Sequence, residues 1–133
     1  MASSFQYRIV RGSPHLLPVC DVYVLGRQGR ARVTALVDTG AVYCFFPVSA
    51  AHDAGIQLPT RSNFEVHYGS GKEPGWLTRA YIEIDRRRWE TEIVFVERLD
   101  FPYGLLGRRG VFNQFNEVTF TERIASPKVE FRG

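Results

Sequence analysis

The sequence is poor in the residues that announce most specialised chemistries. It holds two cysteines, Cys20 and Cys44, and three histidines, His15, His52 and His67. No Cys or His pair stands at zinc-ligand spacing, so neither a metal nor another cofactor is expected. Each cysteine lies inside an apolar segment, which predicts two reduced, buried thiols rather than a disulfide framework. No apolar run approaches the roughly 20 residues of a membrane span. The opening MASSFQYRIV lacks a basic region followed by an apolar stretch, so no secretory signal is expected. Low-complexity tracts, linkers and internal repeats are missing as well. These absences together predict a cytoplasmic protein with no membrane contact.

A strong excess of one charge is missing too. The formal net charge is +3 and the isoelectric point is near 9.1. That is mildly basic, well short of a dedicated nucleic-acid binder. The densest basic cluster, Arg86-Arg87-Arg88, follows Asp85 between two strand-like runs and reads as a solvated turn. Nucleic acid is therefore not an expected partner.

What is present is alternation. The 133 residues, 44% of them hydrophobic, suit one domain spanning 1–133 with one modest core. CDVYVLG (Cys20–Gly26) and ARVTALVD (Ala31–Asp38) predict a hairpin about the turn GRQG. VYCFFP predicts a short aromatic-rich strand, and PVSAAHDAGI a short helix opened by Pro47 and stopped by Gly55. NFEVHYG, WLTRAYIEID and RWETEIVFVE alternate again, with the glycine-rich GSGKEPG between the first two predicting a long hairpin with a loose tip. RRGVFNQF suits one or two helical turns, and EVTFTE and KVEFR close the chain as strands. The pattern predicts a mostly β domain of eight or so short strands with one or two short helices.

One carboxylate stands out. ALVDTGAVYCFFP, from Ala35 to Pro47, places Asp38 inside an apolar run and follows it with Thr39, Gly40 and Ala41. Burying a lone ionised carboxylate costs several kcal/mol. Asp-Thr-Gly can also be an Asx-turn that merely closes a strand. Asp21, Asp53, Asp85 and Asp100 have no such setting.

The order of motifs shifts the weight between these readings. An apolar lead-in, DTGA, a glycine-rich hairpin, and then YGLLGRRGVFNQFNEVTF resemble the retropepsins, the retroviral-type aspartic proteases, and their bacterial relatives. The likeness runs from about Arg30 to Phe120. Asp38, Thr39 and Gly40 match the family's catalytic loop, and Leu105, Leu106, Gly107 and Arg108 match its second signature, an apolar strand opening a short helix. The resemblance implies a retropepsin-like closed β-barrel, an acid-protease half-lobe, that works as a homodimer. It implies an aspartic endopeptidase in which Asp38 from two subunits activates a water. Its partners are then a second copy of the chain and an extended peptide substrate. Ala41, Val42, Tyr68, Gly69, Ser70, Gly71 and Leu106 are the implied substrate-binding residues, with Tyr68 to Trp76 as the flap. A catalytically silent peptide-binding or dimerisation module of the same fold is the alternative.

The chain also departs from the family. Val42 and Tyr43 replace the acidic residues after DTGA that pair with the Arg following the second signature, so Arg108 requires another partner. Residues before Gln28 match nothing in the retroviral pattern, where dimers form through interleaved termini.

Overall fold

The computed structural model describes residues 2–69, 71–99 and 103–133. The predicted hairpin forms from β4 (Val19–Gly26) and β5 (Gly29–Val37), in antiparallel register from Val19↔Leu36 to Gly26↔Gly29. Its alternation sorts the faces: Val22, Val24, Ala35 and Val37 are buried, while Tyr23 and Thr34 are only partly covered. Strand β6 (Cys44–Pro47) follows the Asp38 loop and leads into α1 (Val48–Ala54). Pro47 caps that helix at its start, Ala50, Ala51 and Ala54 form its buried face, and Gly55 ends it at φ 77°. Left-handed backbone of this kind costs a glycine little.

Strands β7 (Phe64–Tyr68), β8 (Gly71–Ile84) and β9 (Arg87–Val96) form a meander, and β10 (Gly104–Leu106) inserts between earlier strands. It runs parallel to β5, with Leu106 opposite Val37, and antiparallel to β6, with Leu105 opposite Phe45. The order β4-β5-β10-β6-β9-β8 returns to its start, because β8 also pairs with β4 from Tyr23↔Glu83 to Leu25↔Tyr81. Phe46, Phe95, Ile82, Ile84, Ile93 and Leu106 are fully buried. The hairpin β7–β8 extends beyond this ring, and its outer part is the segment expected to be the flap.

A second sheet has the order β1-β12-β11, from β1 (Ala2–Gln6), β11 (Glu117–Thr121) and β12 (Lys128–Arg132). It packs on the first through Phe131 and Phe115, whose rings lie 4.9 Å apart, and through Phe115 and Trp89 at 5.7 Å. A two-stranded ribbon, β2 (Arg8–Ile9) with β3 (Leu16–Leu17), precedes β4. Arg8 ties this ribbon to β4 through Asp21 at 2.9 Å. Burial works to raise the Asp21 carboxyl, but the Arg8 guanidinium and the Thr34 hydroxyl outweigh it and hold it below the usual carboxylate range. That anchor is complete above the ordinary carboxylate pKa and fades as pH falls through the lowered folded value.

Four expectations need correction. Twelve strands occur among the described residues rather than eight or so. The polar, non-alternating ASSFQ becomes strand only because β12 lies beside it. The flap loop is tighter than GSGKEPG implies: Tyr68 pairs with Gly71, and Lys72 to Gly75 belong to β8. Pro74 is tolerated there because that stretch is paired on one side only, by β7. Of the basic cluster, only Arg86 lies in the turn, with Asp85, both at positive φ. Arg87 and Arg88 continue as strand, Arg88 pairing with Glu83 at 2.9 Å and Arg87 lying 4.5 Å over the Phe115 ring. The helix expected from Arg108 is a turn followed by a single 3-10 turn, Phe112–Gln114. Gly110 at φ 108° breaks the α geometry.

Cys20 and Cys44 are both free and buried. Burial pushes the Cys20 thiol up to about 12 and that of Cys44 up to about 11, the latter despite the opposing N–H of Gly107. Since the thiolate is the reactive form, neither reacts readily while folded. A thiol-reactive chromogen is expected to label neither cysteine in native protein and both after denaturation. Fast labelling of native protein would contradict this packing.

Candidate active site

Asp38 follows the last residue of β5, where the chain leaves the sheet. Its backbone N–H donates to the Leu106 carbonyl at 3.1 Å, so β10 fixes the start of the loop. Its Oδ1 accepts the Gly40 N–H at 2.8 Å, and its carbonyl accepts the Ala41 N–H at 3.2 Å. The Asx-turn is therefore real, and it orients the carboxylate rather than hiding it. Val37 and Ala35 point into the core, whereas Asp38 itself is half-buried at the rim.

The second signature supports the loop from behind. Arg108 N–H donates to Ala41 O at 3.0 Å and Arg109 N–H to Val42 O at 2.7 Å. Beside them Gly107 passes so close to Tyr43 that a Cβ would lie 2.2 Å from the Tyr43 carbonyl oxygen. Cys44 Sγ accepts the Gly107 N–H at 3.5 Å from the other direction. The loop thus has a backbone platform that only glycine permits at this point.

The partner problem created by Val42 and Tyr43 resolves one residue further on. Arg109, not Arg108, is engaged: it pairs with Glu92 at 3.0 Å, donates to the Tyr43 hydroxyl at 3.3 Å and lies 5.2 Å over the Tyr43 ring. Its guanidinium is thereby held between a carboxylate on β9 and the aromatic face of Tyr43. The Arg108 side chain is exposed.

A cleft of about 490 Å³ opens beside the carboxylate. The loop contributes Asp38, Gly40, Ala41 and Val42; the β7–β8 hairpin contributes Phe64 to His67 and Glu73; β6, β10 and the end of β9 contribute Phe45, Leu105 and Val96. Tyr43 also lines it and packs edge-on against Phe64, ring centres 5.1 Å apart. Arg98 and Leu99 complete the wall.

Of the residues expected at the substrate, Ala41 and Val42 line this cleft. Thr39 is exposed beside it, and Gly69 and Gly71 sit at the end of the β7–β8 hairpin, where Gly71 pairs with Tyr68. Ser70 and Asp100 lie outside the described residues. Leu106 is a correction: it is fully buried opposite Val37, and its neighbour Leu105 faces the cleft instead. Strand parity gives the reason, since adjacent residues of β10 point to opposite faces. Sequence reasoning also missed Tyr43, Phe45 and Phe64. Their alternation was visible, but which face meets the loop is set by the partner strands.

Residues 21–109, about two thirds of the chain, match the family model described as aspartyl protease. The chain belongs to the aspartyl protease family. Among solved structures, a retropepsin-like aspartic protease from Rickettsia conorii aligns with TM-score 0.63 at 13% identity, covering 98% of this chain and 92% of that one. The EIAV protease, in complex with the inhibitor HBY-793, aligns with TM-score 0.56 at 17% identity, covering 74% and 88%. A search of curated proteins gave no match. The fold is retropepsin-like and mostly β, as the order of motifs implied. Among the described residues, no helix is long and apolar enough to cross a membrane.

Proposed function

We propose that this aspartyl protease family member is an endopeptidase whose catalytic pair is Asp38 from each of two identical subunits. The observation that carries the reading is the position of Asp38: one carboxylate, oriented by its own loop, at the rim of a peptide-sized cleft. Hydrolysis by carboxylates needs two around one water, one ionised to take its proton and one protonated to polarise the carbonyl and then supply the leaving amine. Two close carboxylates do not both ionise readily, and a shared proton is the established behaviour of aspartic-protease pairs. No other aspartate stands in an Asp-Thr-Gly sequence, so the second carboxylate comes from another copy. A twofold axis through the loops sets residue 38 against residue 38.

In that arrangement Thr39 reaches the partner loop and holds both carboxylates in one plane. Gly40 presents its carbonyl to the substrate backbone. The peptide lies as an extended strand between flap and loop, bound by main-chain hydrogen bonds, with apolar side chains flanking the cut against Val42, Phe45 and Leu105. The β7–β8 hairpin, expected as the flap, closes over it.

A further inference from the structure

We infer that Glu73 and Arg98 form an ion pair that latches the β7–β8 hairpin over a bound peptide; this rests on the peptide-cleaving reading above. Both side chains line the cleft, Glu73 from the hairpin and Arg98 from the wall beyond β9. Strand register puts them on one face. Val66 is paired with Glu73, Phe64 with Gly75, and Gly75 in turn with Val96. Paired residues of antiparallel strands share a face. A Cβ added at Gly75 would lie 3.1 Å from Val66 Cγ2 and 2.8 Å from Val94 Cγ1, so this face is continuous across β7, β8 and β9. Glu73 stands two residues before Gly75, and Arg98 two residues after Val96. A β8–β9 ladder prolonged in the same register would set Glu73 directly opposite Arg98.

The ladder stops instead at Gly75↔Val96, and beyond it β8 is paired with β7 alone. The two charges therefore stand on opposite sides of the cleft. Arg98 is exposed, and among the described residues it makes no hydrogen bond, ion pair or ring contact. The neighbouring charges of the hairpin are already matched, with Glu65 at 2.9 Å from His67 and 3.6 Å from Lys72. Closing the hairpin over a peptide narrows the gap between Glu73 and Arg98 and brings opposite charges to cross-strand positions, where they attract. The peptide also displaces water from an apolar lining that includes Phe45, Val96 and Leu105, which strengthens the attraction. The pair thus favours the closed, loaded cleft over the open one.

The test is hydrolysis of fluorogenic peptides that differ only in the charge of the side chains flanking an apolar pair. Wild type is compared with Glu73→Arg, Arg98→Glu and the two reversals combined. Each single reversal is expected to raise KM about 10-fold with little change in kcat, because the latch holds substrate and transition state alike. The combined reversal restores opposite charges and should bring KM back to within about 2-fold of wild type. Glu73→Gln, Arg98→Gln and their double variant carry the test if a reversal fails to fold: the double should lose no more than either single one. Unchanged KM in the single variants, additive losses, or a folded combined reversal that recovers nothing overturns the latch and leaves the protease reading standing. Losses that follow the charge of the peptide rather than the pairing of the two residues overturn it as well, by making them substrate contacts. A wild type that cleaves none of the peptides refutes the protease reading, and the latch with it.

Discussion

Asp38→Asn is expected to abolish peptide hydrolysis, with a loss of at least about 10⁴-fold in kcat. The protein should stay folded, because an amide oxygen still accepts the Gly40 N–H and the side chain is only half-buried. Mixing gives the sharper result. If each site needs one carboxylate from each copy, a wild-type subunit paired with an Asp38→Asn subunit is dead. Equilibrating equal amounts of the two proteins should then reduce the activity per wild-type chain to roughly half. A mixture that keeps full activity would show that a single chain suffices. Equal cleavage by wild type and Asp38→Asn would refute Asp38 as the catalytic carboxylate.

The second large effect is structural. Gly107→Ala puts a methyl group 2.2 Å from the Tyr43 carbonyl oxygen and 2.5 Å from its carbon. Both are backbone atoms, so no side-chain rotation relieves the clash. Either the Asp38 loop or β10 must move, at an expected cost of about 3 kcal/mol or more. Thermal unfolding should show Tm lowered by roughly 10 °C. Activity should fall further than stability does, since the Leu106 carbonyl that holds the Asp38 N–H lies next to the shifted residue. A variant with wild-type Tm would mean that the two backbones are further apart than described.

The two halves of this site were unequally legible. DTGA and LLGR are short local signals whose physical demands are local as well: a carboxylate at a strand end, a turn that its own side chain closes, a residue without a Cβ where backbones cross. Such demands are written in residue type, and Asp38, Gly40 and Gly107 stand where they were expected. Leu106 was misplaced because adjacent residues of one strand differ only in the face they present, and β5 decides which face is inside. The same holds for Arg108 and Arg109. Both follow the glycine, but the position of Glu92 on β9 and the ring of Tyr43 select Arg109.

By itself, then, the sequence determined the alternating strands, the short alanine-rich helix, the two buried thiols and the acid loop with its glycine platform, since each depends on neighbours close along the chain. Tertiary structure alone decided that ASSFQ is a strand, that the turn after Tyr68 is tight, that Arg87 and Arg88 leave the turn, and which aromatic rings face the cleft. Those outcomes depend on contacts between residues far apart in the chain, where a partner's position outweighs intrinsic preference.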